Sequence, residues 1–232
     1  NNESHLDLST LNLTSLPSLP EHVMSLKIDK NDLTSLPRLP DSLEKIEASF
    51  NQLTTLPELP ESLKVLAVNG NRLSILPELP DSLKVLAVNG NRLSTLPELP
   101  SALEDISVRR NQITMLPVLP SSLQVLSAGS NSLSILPELP SSLEEINVSD
   151  NHLSELPVLP ASLKNLNISY NRLSALPELP VSLEYLNVHD NHLTTLPSLP
   201  AVLKAVNADS NRLESLPDFP AEHRSGMRVY WL

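Results

Sequence analysis

Apolar and polar positions along this chain follow a unit that recurs every 20 residues. In the stretch Leu63 to Pro80, LKVLAVNGNRLSILPELP, apolar side chains around Leu66 and Val68 alternate with period two. This alternation predicts a short strand with one buried face. The Leu-Pro-Glu-Leu-Pro run that follows cannot lie inside a helix, because proline fixes φ and lacks an N–H, and it suits an extended, polyproline-like leg. Each unit is therefore predicted to hold a strand, a turn and an extended return leg, without a helix.

The units are predicted to stack into a solenoid. Leu83 to Pro100 copies Leu63 to Pro80 with a single change, Ile75 to Thr95, and looser copies fill almost the whole chain. A period of this length is typical of solenoids, in which one unit cannot bury its leucines alone but neighbouring units can. We expect a curved array with a parallel sheet on its concave face and extended legs on its convex side. The predicted boundaries are an atypical first repeat or cap at 1–22, regular repeats at 23–220, and a capping segment at 221–232 that leads to a further domain.

One asparagine recurs at the same position of ten repeats and is predicted to form a structural ladder. It falls between two inward-facing apolar positions, so its amide is expected to be buried and therefore to need hydrogen-bond partners. Stacked copies can donate to and accept from the turn backbone of neighbouring repeats. In the first repeat Leu11 stands in its place. The ladder consists of Asn31, Asn51, Asn71, Asn91, Asn111, Asn131, Asn151, Asn171, Asn191 and Asn211.

The repeat pattern LxxLxVxxNxLxxLPxLPxS identifies a leucine-rich repeat and therefore a leucine-rich-repeat solenoid. With its short period and double Leu-Pro, it resembles the bacterial IpaH/SspH/SlrP effectors and the related YopM, from Leu6 to Pro220. The resemblance implies type III secretion into the host cell cytoplasm and a repeat domain that selects host protein substrates on its concave face. In that group a C-terminal E3 ubiquitin ligase domain then accepts ubiquitin on a catalytic cysteine from a host E2 enzyme. The present chain has no cysteine, so it cannot carry out that transfer itself.

Two other functions remain open. The first is a YopM-like scaffold without ligase activity; the uniform 20-residue spacing favours the ligase group, because YopM commonly mixes repeat lengths. The second is a surface or structural repeat protein without a host target.

Composition and charge argue against other functional classes. The net charge of −11 disfavours nucleic-acid binding, and no apolar run approaches the ~20 residues of a transmembrane helix. The absence of cysteine favours a reducing compartment. His152 and His192 lie two repeats apart, or roughly 10 Å, which is too far for one metal ion. We therefore expect no cofactor and no metal.

Candidate protein-binding residues are those that flank the inward-facing strand positions. Exposed arginines and aromatic side chains around an apolar floor are typical of protein-binding hot spots. The alternative for the valines is that they are simply good strand formers. The candidate set on the concave face is Lys45, Phe50, Val65, Arg72, Val85, Arg92, Arg109, Arg110, Val125, Tyr170, Tyr185 and His189.

Overall fold

Short parallel strands are the regular elements of this protein. A computed structural model describes residues 4–215 and 228–230. Every strand has three residues, and the described residues contain no helix. The strands are β1 (His5–Asp7), β2 (Ser25–Lys27), β3 (Lys45–Glu47), β4 (Val65–Ala67), β5 (Val85–Ala87), β6 (Asp105–Ser107), β7 (Val125–Ser127), β8 (Glu145–Asn147), β9 (Asn165–Asn167), β10 (Tyr185–Asn187), β11 (Ala205–Asn207) and β12 (Arg228–Tyr230).

The chain divides into two compact units, Asn1–Ile113 and Thr114–Leu232. In the first unit, β1 to β6 pair in chain order, all parallel and in phase, so that Leu66 stands opposite Leu86. In the second unit, β7 to β12 pair in the same manner, as Leu166 opposite Leu186 shows. The predicted leucine-rich-repeat solenoid with a parallel sheet is confirmed.

The core lies on one side of each sheet. The middle residue of a strand is buried, as Leu66 shows with no exposed surface, while its neighbours Val65 and Ala67 are half-buried on the opposite side. The alternation continues beyond the strand, because Val68 is again fully buried although the strand ends at Ala67. Burial of one leucine contributes about 1.5–3 kcal/mol, so the stacked leucines are the main source of stability.

Within each of the two units, the amides of the ladder asparagines tie a repeat to the one before. The Asn71 Oδ1 accepts from the Leu53 N–H at 2.9 Å, and its Nδ2 donates to the carbonyls of Ala48 and Val68, both at 3.0 Å. Asn91 repeats the same bonds one unit later. At the first repeat, Asn31 accepts from the N–H of Leu11 at 3.1 Å. One side chain thus satisfies three backbone groups that lie away from water.

The residue before each ladder position adopts a left-handed backbone conformation. Its φ lies between 53° and 63° in every described repeat, yet glycine occurs at only two of these positions. A non-glycine residue in this conformation costs about 1 kcal/mol. These residues are Thr10, Lys30, Phe50, Gly70, Gly90, Arg110, Ser130, Asp150, Tyr170, Asp190 and Ser210.

The predicted caps at 1–22 and 221–232 remain predictions. β1 already has the repeat geometry, since His5–Asp7 pairs with Ser25–Lys27. β12 pairs in parallel with β11, and its backbone thus extends the sheet of the second unit. Residues 1–3, 216–227 and 231–232, which include the last Leu-Pro leg, lie outside the described residues.

Candidate protein-binding surfaces

The open face of the sheet in the first unit presents an apolar floor, and exposed arginines follow its strands along the chain. Val65 and Val85 are aligned partners in β4 and β5, and both are half-buried. Ala67 and Ala87 lie beside them in the same register. Four exposed arginines lie in the turns that follow β4, β5 and β6, and we call them the arginine surface: Arg72, Arg92, Arg109 and Arg110. None of these four forms an ion pair with a carboxylate among the described residues.

Phe50 lies over bare backbone at the edge of the first-unit sheet. The left-handed turn places its side chain outside the core, where it is 61% exposed. Gly70 occupies the same position one repeat later, and a Cβ built on it would lie 2.8 Å from the Phe50 Cδ1. The aromatic ring therefore packs so closely on Gly70 that a side chain at position 70 would clash with it.

Replacing Gly70 by alanine should therefore move the Phe50 ring. Both Gly70 and Gly90 have left-handed φ values, +62° and +63°, so either Gly→Ala change should cost about 1 kcal/mol in unfolding free energy. The additional clash at Gly70 should displace the exposed ring, which changes of the Phe50 resonances in NMR spectra would detect. Gly90→Ala is the matched control, because its nearest neighbour atom lies at 3.7 Å. An unchanged Phe50 environment in Gly70→Ala would contradict this packing.

The open face of the second unit forms a shallow depression of about 400 Å³ with a mainly apolar lining. Strands β7 to β11 line it, with Val125 and Tyr185 among the contributing side chains. A row of asparagines, Asn147, Asn167, Asn187 and Asn207, crosses it at the last position of each strand.

The asparagines of this row leave their amide N–H groups available. The Asn147 Oδ1 accepts from the Ser149 hydroxyl at 2.8 Å, and the Asn167 Oδ1 accepts from the Ser169 hydroxyl at the same distance. Their Nδ2 groups have no acceptor among the described residues. The depression therefore presents hydrogen-bond donors, which suits carbonyl or hydroxyl acceptors of a ligand. The candidate set from the sequence omits this row, although repeated asparagine at a strand end was its visible signal.

Tyr170 and His189 form a pair beside this depression. Their rings meet edge to face with centroids 4.9 Å apart, and the His189 Nε2 lies 3.2 Å from the Tyr170 hydroxyl oxygen. The Nδ1 of His189 is buried and has no hydrogen-bond partner among the described residues. The Lys204 Nζ lies 5.7 Å from the centre of the Tyr185 ring, and its hydrogen bond to Glu184 raises the pKa of the lysine.

The candidate residues fall into two groups, one in each unit. Lys45 already forms an ion pair with Glu47 at 3.1 Å, so its charge is partly neutralised. In the first unit lie Lys45, Phe50, Val65, Arg72, Val85, Arg92, Arg109 and Arg110, and in the second lie Val125, Tyr170, Tyr185 and His189. Direct contact joins Tyr170 to His189.

Residues 4–215 and 228–230 contain no cluster of three or more His, Cys, Asp or Glu side chains that could hold a metal ion. The repeated serines hydrogen-bond to the backbone. The Ser62 hydroxyl, for example, donates to the carbonyls of Asp41 and Leu43, both at 2.8 Å. No helix in the described part of the chain could cross a membrane.

Short parallel strands, the asparagine ladder and extended Leu-Pro legs define a leucine-rich repeat protein. A family model described as Leucine Rich Repeat matches residues 182–203. The comparison with curated protein sequences gave no match.

Solved structures of bacterial effectors resemble the chain over nearly its whole length. YopM from Yersinia pestis is 41% identical with a TM-score of 0.86, and the match covers 94% of this chain and 69% of that one. YopM from Yersinia enterocolitica WA-314 is 36% identical with a TM-score of 0.79, covering 97% and 59%. A Shigella effector leucine-rich repeat domain is 29% identical with a TM-score of 0.52, covering 99% and 82%.

The chain belongs to the family of bacterial leucine-rich repeat effectors that includes YopM. It spans 59% of the length of the Yersinia enterocolitica protein.

Proposed function

We propose that this chain is the protein-recognition domain of a secreted bacterial effector and binds a host protein in the host cell cytoplasm. The observation that carries the proposal is the set of large exposed side chains on the open sheet faces and in the turns beside them. Phe50, Tyr170 and Tyr185 are 61%, 51% and 47% exposed, although a monomer gains no stability from exposing them. Aromatic and arginine side chains beside a shallow floor are the usual anchors of protein interfaces.

We further propose that the parent protein is an E3 ubiquitin ligase for which these repeats select the substrate. The uniform repeat length and double Leu-Pro legs support membership of the IpaH/SspH/SlrP group. Similarity to a Shigella effector repeat domain over 82% of that chain is consistent with it. The transferring cysteine would lie in a domain of the parent that is not part of this sequence.

A YopM-like scaffold without ligase activity is the second candidate. The specific observation that favours it is the higher sequence identity to YopM of Yersinia pestis, 41%, against 29% for the Shigella domain. Both candidates assign the same binding role to the repeats and differ only in what the parent does with its captured partner.

Ubiquitin transfer separates the two candidates. The parent protein, incubated with ubiquitin, ATP, ubiquitin-activating enzyme and E2, should form ubiquitin conjugates, which a gel assay would show. The present chain should form none, since it has no cysteine, and when added in excess it should compete for the host substrate and slow its modification. A parent variant without its cysteines is the negative control.

Each outcome has a distinct meaning. An inactive parent that still captures a host protein through the repeats would identify a scaffold. Transfer by the cysteine-free chain itself would refute its assignment as a binding domain. Capture that survives Phe50→Ala combined with Tyr185→Ala would exclude the open faces as the binding surfaces.

A further inference from the structure

We propose that the arginine surface of the first unit, formed by Arg72, Arg92, Arg109 and Arg110, binds an acidic segment of the partner protein, a run of Asp and Glu side chains. The inference rests on the proposed protein-binding function and specifies the chemistry of the segment that is bound. It depends on three features of the first unit: unpaired guanidinium groups, their regular spacing, and the scarcity of nearby carboxylates.

The chain uses its lysines and its arginines differently. Of the lysines, only Lys30 lacks a carboxylate partner among the described residues. Lys64 pairs with Glu44 and Lys84 with Glu104, each at 2.8 Å and each across one repeat. Among arginines of the described chain whose side chains are placed, only Arg38 forms an ion pair. The internal pairs thus neutralise lysine charges, whereas the guanidinium groups remain available to a ligand.

The arginine surface rests on a well-fixed backbone. Arg72 and Arg92 occupy the same repeat position in neighbouring repeats, so their backbones are about 4.8 Å apart. Their N–H groups donate to the carbonyls of Leu53 and Leu73 at 2.9 and 2.8 Å. The Arg109 N–H donates to the Asn89 Oδ1 at 2.7 Å. Like charges held at such short steps repel one another, and bound carboxylates would relieve that repulsion.

Few carboxylates of the first unit lie near this surface. Across β4, β5 and β6, the open face carries one acidic strand residue, Asp105, at the beginning of β6. Arg109 follows four residues later, or roughly 13 Å along an extended chain. Glu104, beside Asp105, already binds Lys84. The local charge is therefore positive on a protein with a net charge of −11.

The second unit provides the contrast. Arg172 and Arg212 occupy the same repeat position as Arg72. In that unit, however, Asp150 and Asp190 occupy the left-handed turns of the repeats on either side of the repeat that carries Arg172. Carboxylates therefore alternate with arginines from one repeat to the next. The first unit has Gly70 and Gly90 at the corresponding turns.

The spacing favours carboxylates over a phosphate group. A single phosphate is best held by donors that converge on one point, whereas these arginines are spread one or two to a repeat. Successive singly charged side chains of an extended segment match such a row, and each guanidinium can bind a carboxylate through two parallel hydrogen bonds. The half-buried Val65 and Val85 give the backbone of that segment an apolar floor.

A pair of synthetic peptides tests the proposal directly. A labelled peptide of alternating Glu and Ser should bind at least about tenfold more tightly than its Gln–Ser counterpart in fluorescence anisotropy. Its affinity should fall when the ionic strength rises from about 0.01 M to about 0.1 M, as the screening length shortens. Arg72→Glu with Arg92→Glu should reduce the affinity at least about tenfold. Arg172→Glu with Arg212→Glu, an equal change in net charge, should leave it within about twofold.

The possible results separate this inference from the proposed function. Equal binding of the two peptides, or equal loss in both double variants, would overturn the acidic-segment proposal. If a host protein is captured equally well by wild type and Arg72→Glu/Arg92→Glu, the inference fails while the protein-binding function stands. Unchanged thermal midpoints of the variants are the control for folding, and Arg109→Glu with Arg110→Glu offers an independent pair on the same surface.

Discussion

Replacing Asn71 by leucine is expected to lower the free energy of unfolding by about 2–4 kcal/mol. The side chain is only 7% exposed, and its amide satisfies the Leu53 N–H and the carbonyls of Ala48 and Val68. Leucine fits the volume but leaves all three backbone groups without partners, and each unsatisfied buried group costs about 1–3 kcal/mol before relaxation. Urea unfolding followed by circular dichroism would measure the loss.

Asn111→Leu is the matched control for this experiment. Asn111 makes the same set of hydrogen bonds, to the Leu93 N–H and the carbonyls of Val88 and Val108. Asn111 is only half-buried, so water can hydrogen-bond to some of the backbone groups that leucine would leave unpaired. The loss of unfolding free energy should therefore be nearer 1 kcal/mol. Small and equal losses at both positions would mean that water, rather than the ladder, satisfies the turns.

Leu86→Ala should also lower stability substantially, by about 2–5 kcal/mol, because it opens a cavity in a closely packed core. Leu86 has no exposed surface and lies between Leu66 and Ile106 in the register of β4, β5 and β6. Neighbouring repeats on both sides therefore lose contacts. The shift in urea midpoint would quantify the effect.

Leu6→Ala tests whether position in the array decides the cost. Leu6 occupies the same strand position in the first repeat but is only half-buried and pairs with one strand, through Leu26. Its removal should cost about 1 kcal/mol, since less surface leaves the core. A loss at Leu6 equal to that at Leu86 would contradict a stability built from contacts between neighbouring repeats.

The fold was predictable because its determinants are local and repeated. The alternation around Leu66 and the paired prolines Pro77 and Pro80 specify a strand and an extended leg, and the fixed period specifies stacking. The left-handed turn was not predictable, since its usual signal is glycine and only Gly70 and Gly90 provide it. At the other repeats the same backbone carries side chains as different as Phe50 and Tyr170.

The candidate surfaces were only partly predictable from the sequence. Alternation correctly identifies which side of a strand is open, as Val65 shows. The alternation cannot tell which charged side chains pair with one another within the chain, because an ion pair such as Lys45–Glu47 depends on side-chain conformation. The contact of Tyr170 with His189 joins residues of neighbouring repeats, so the alternation within one repeat does not predict it. The hydrogen bonds of the asparagine row depend on which oxygen each serine hydroxyl donates to, and the sequence does not specify that either.

The ladder bonds have a consequence for how such a protein can evolve. Within each unit, the ladder asparagines bond to backbone groups at fixed offsets of 18 and 23 residues, as Asn71 does, and not to a particular side chain of the neighbouring repeat. A whole 20-residue repeat can therefore be inserted or deleted while the asparagines of the other repeats keep the same kinds of backbone partner. The near-identical repeats beginning at Leu63 and Leu83 have the form that duplication of one repeat would leave. Gene duplication could thus lengthen the recognition surface first, with divergence of the exposed positions, as at Ile75 and Thr95, following without redesign of the core.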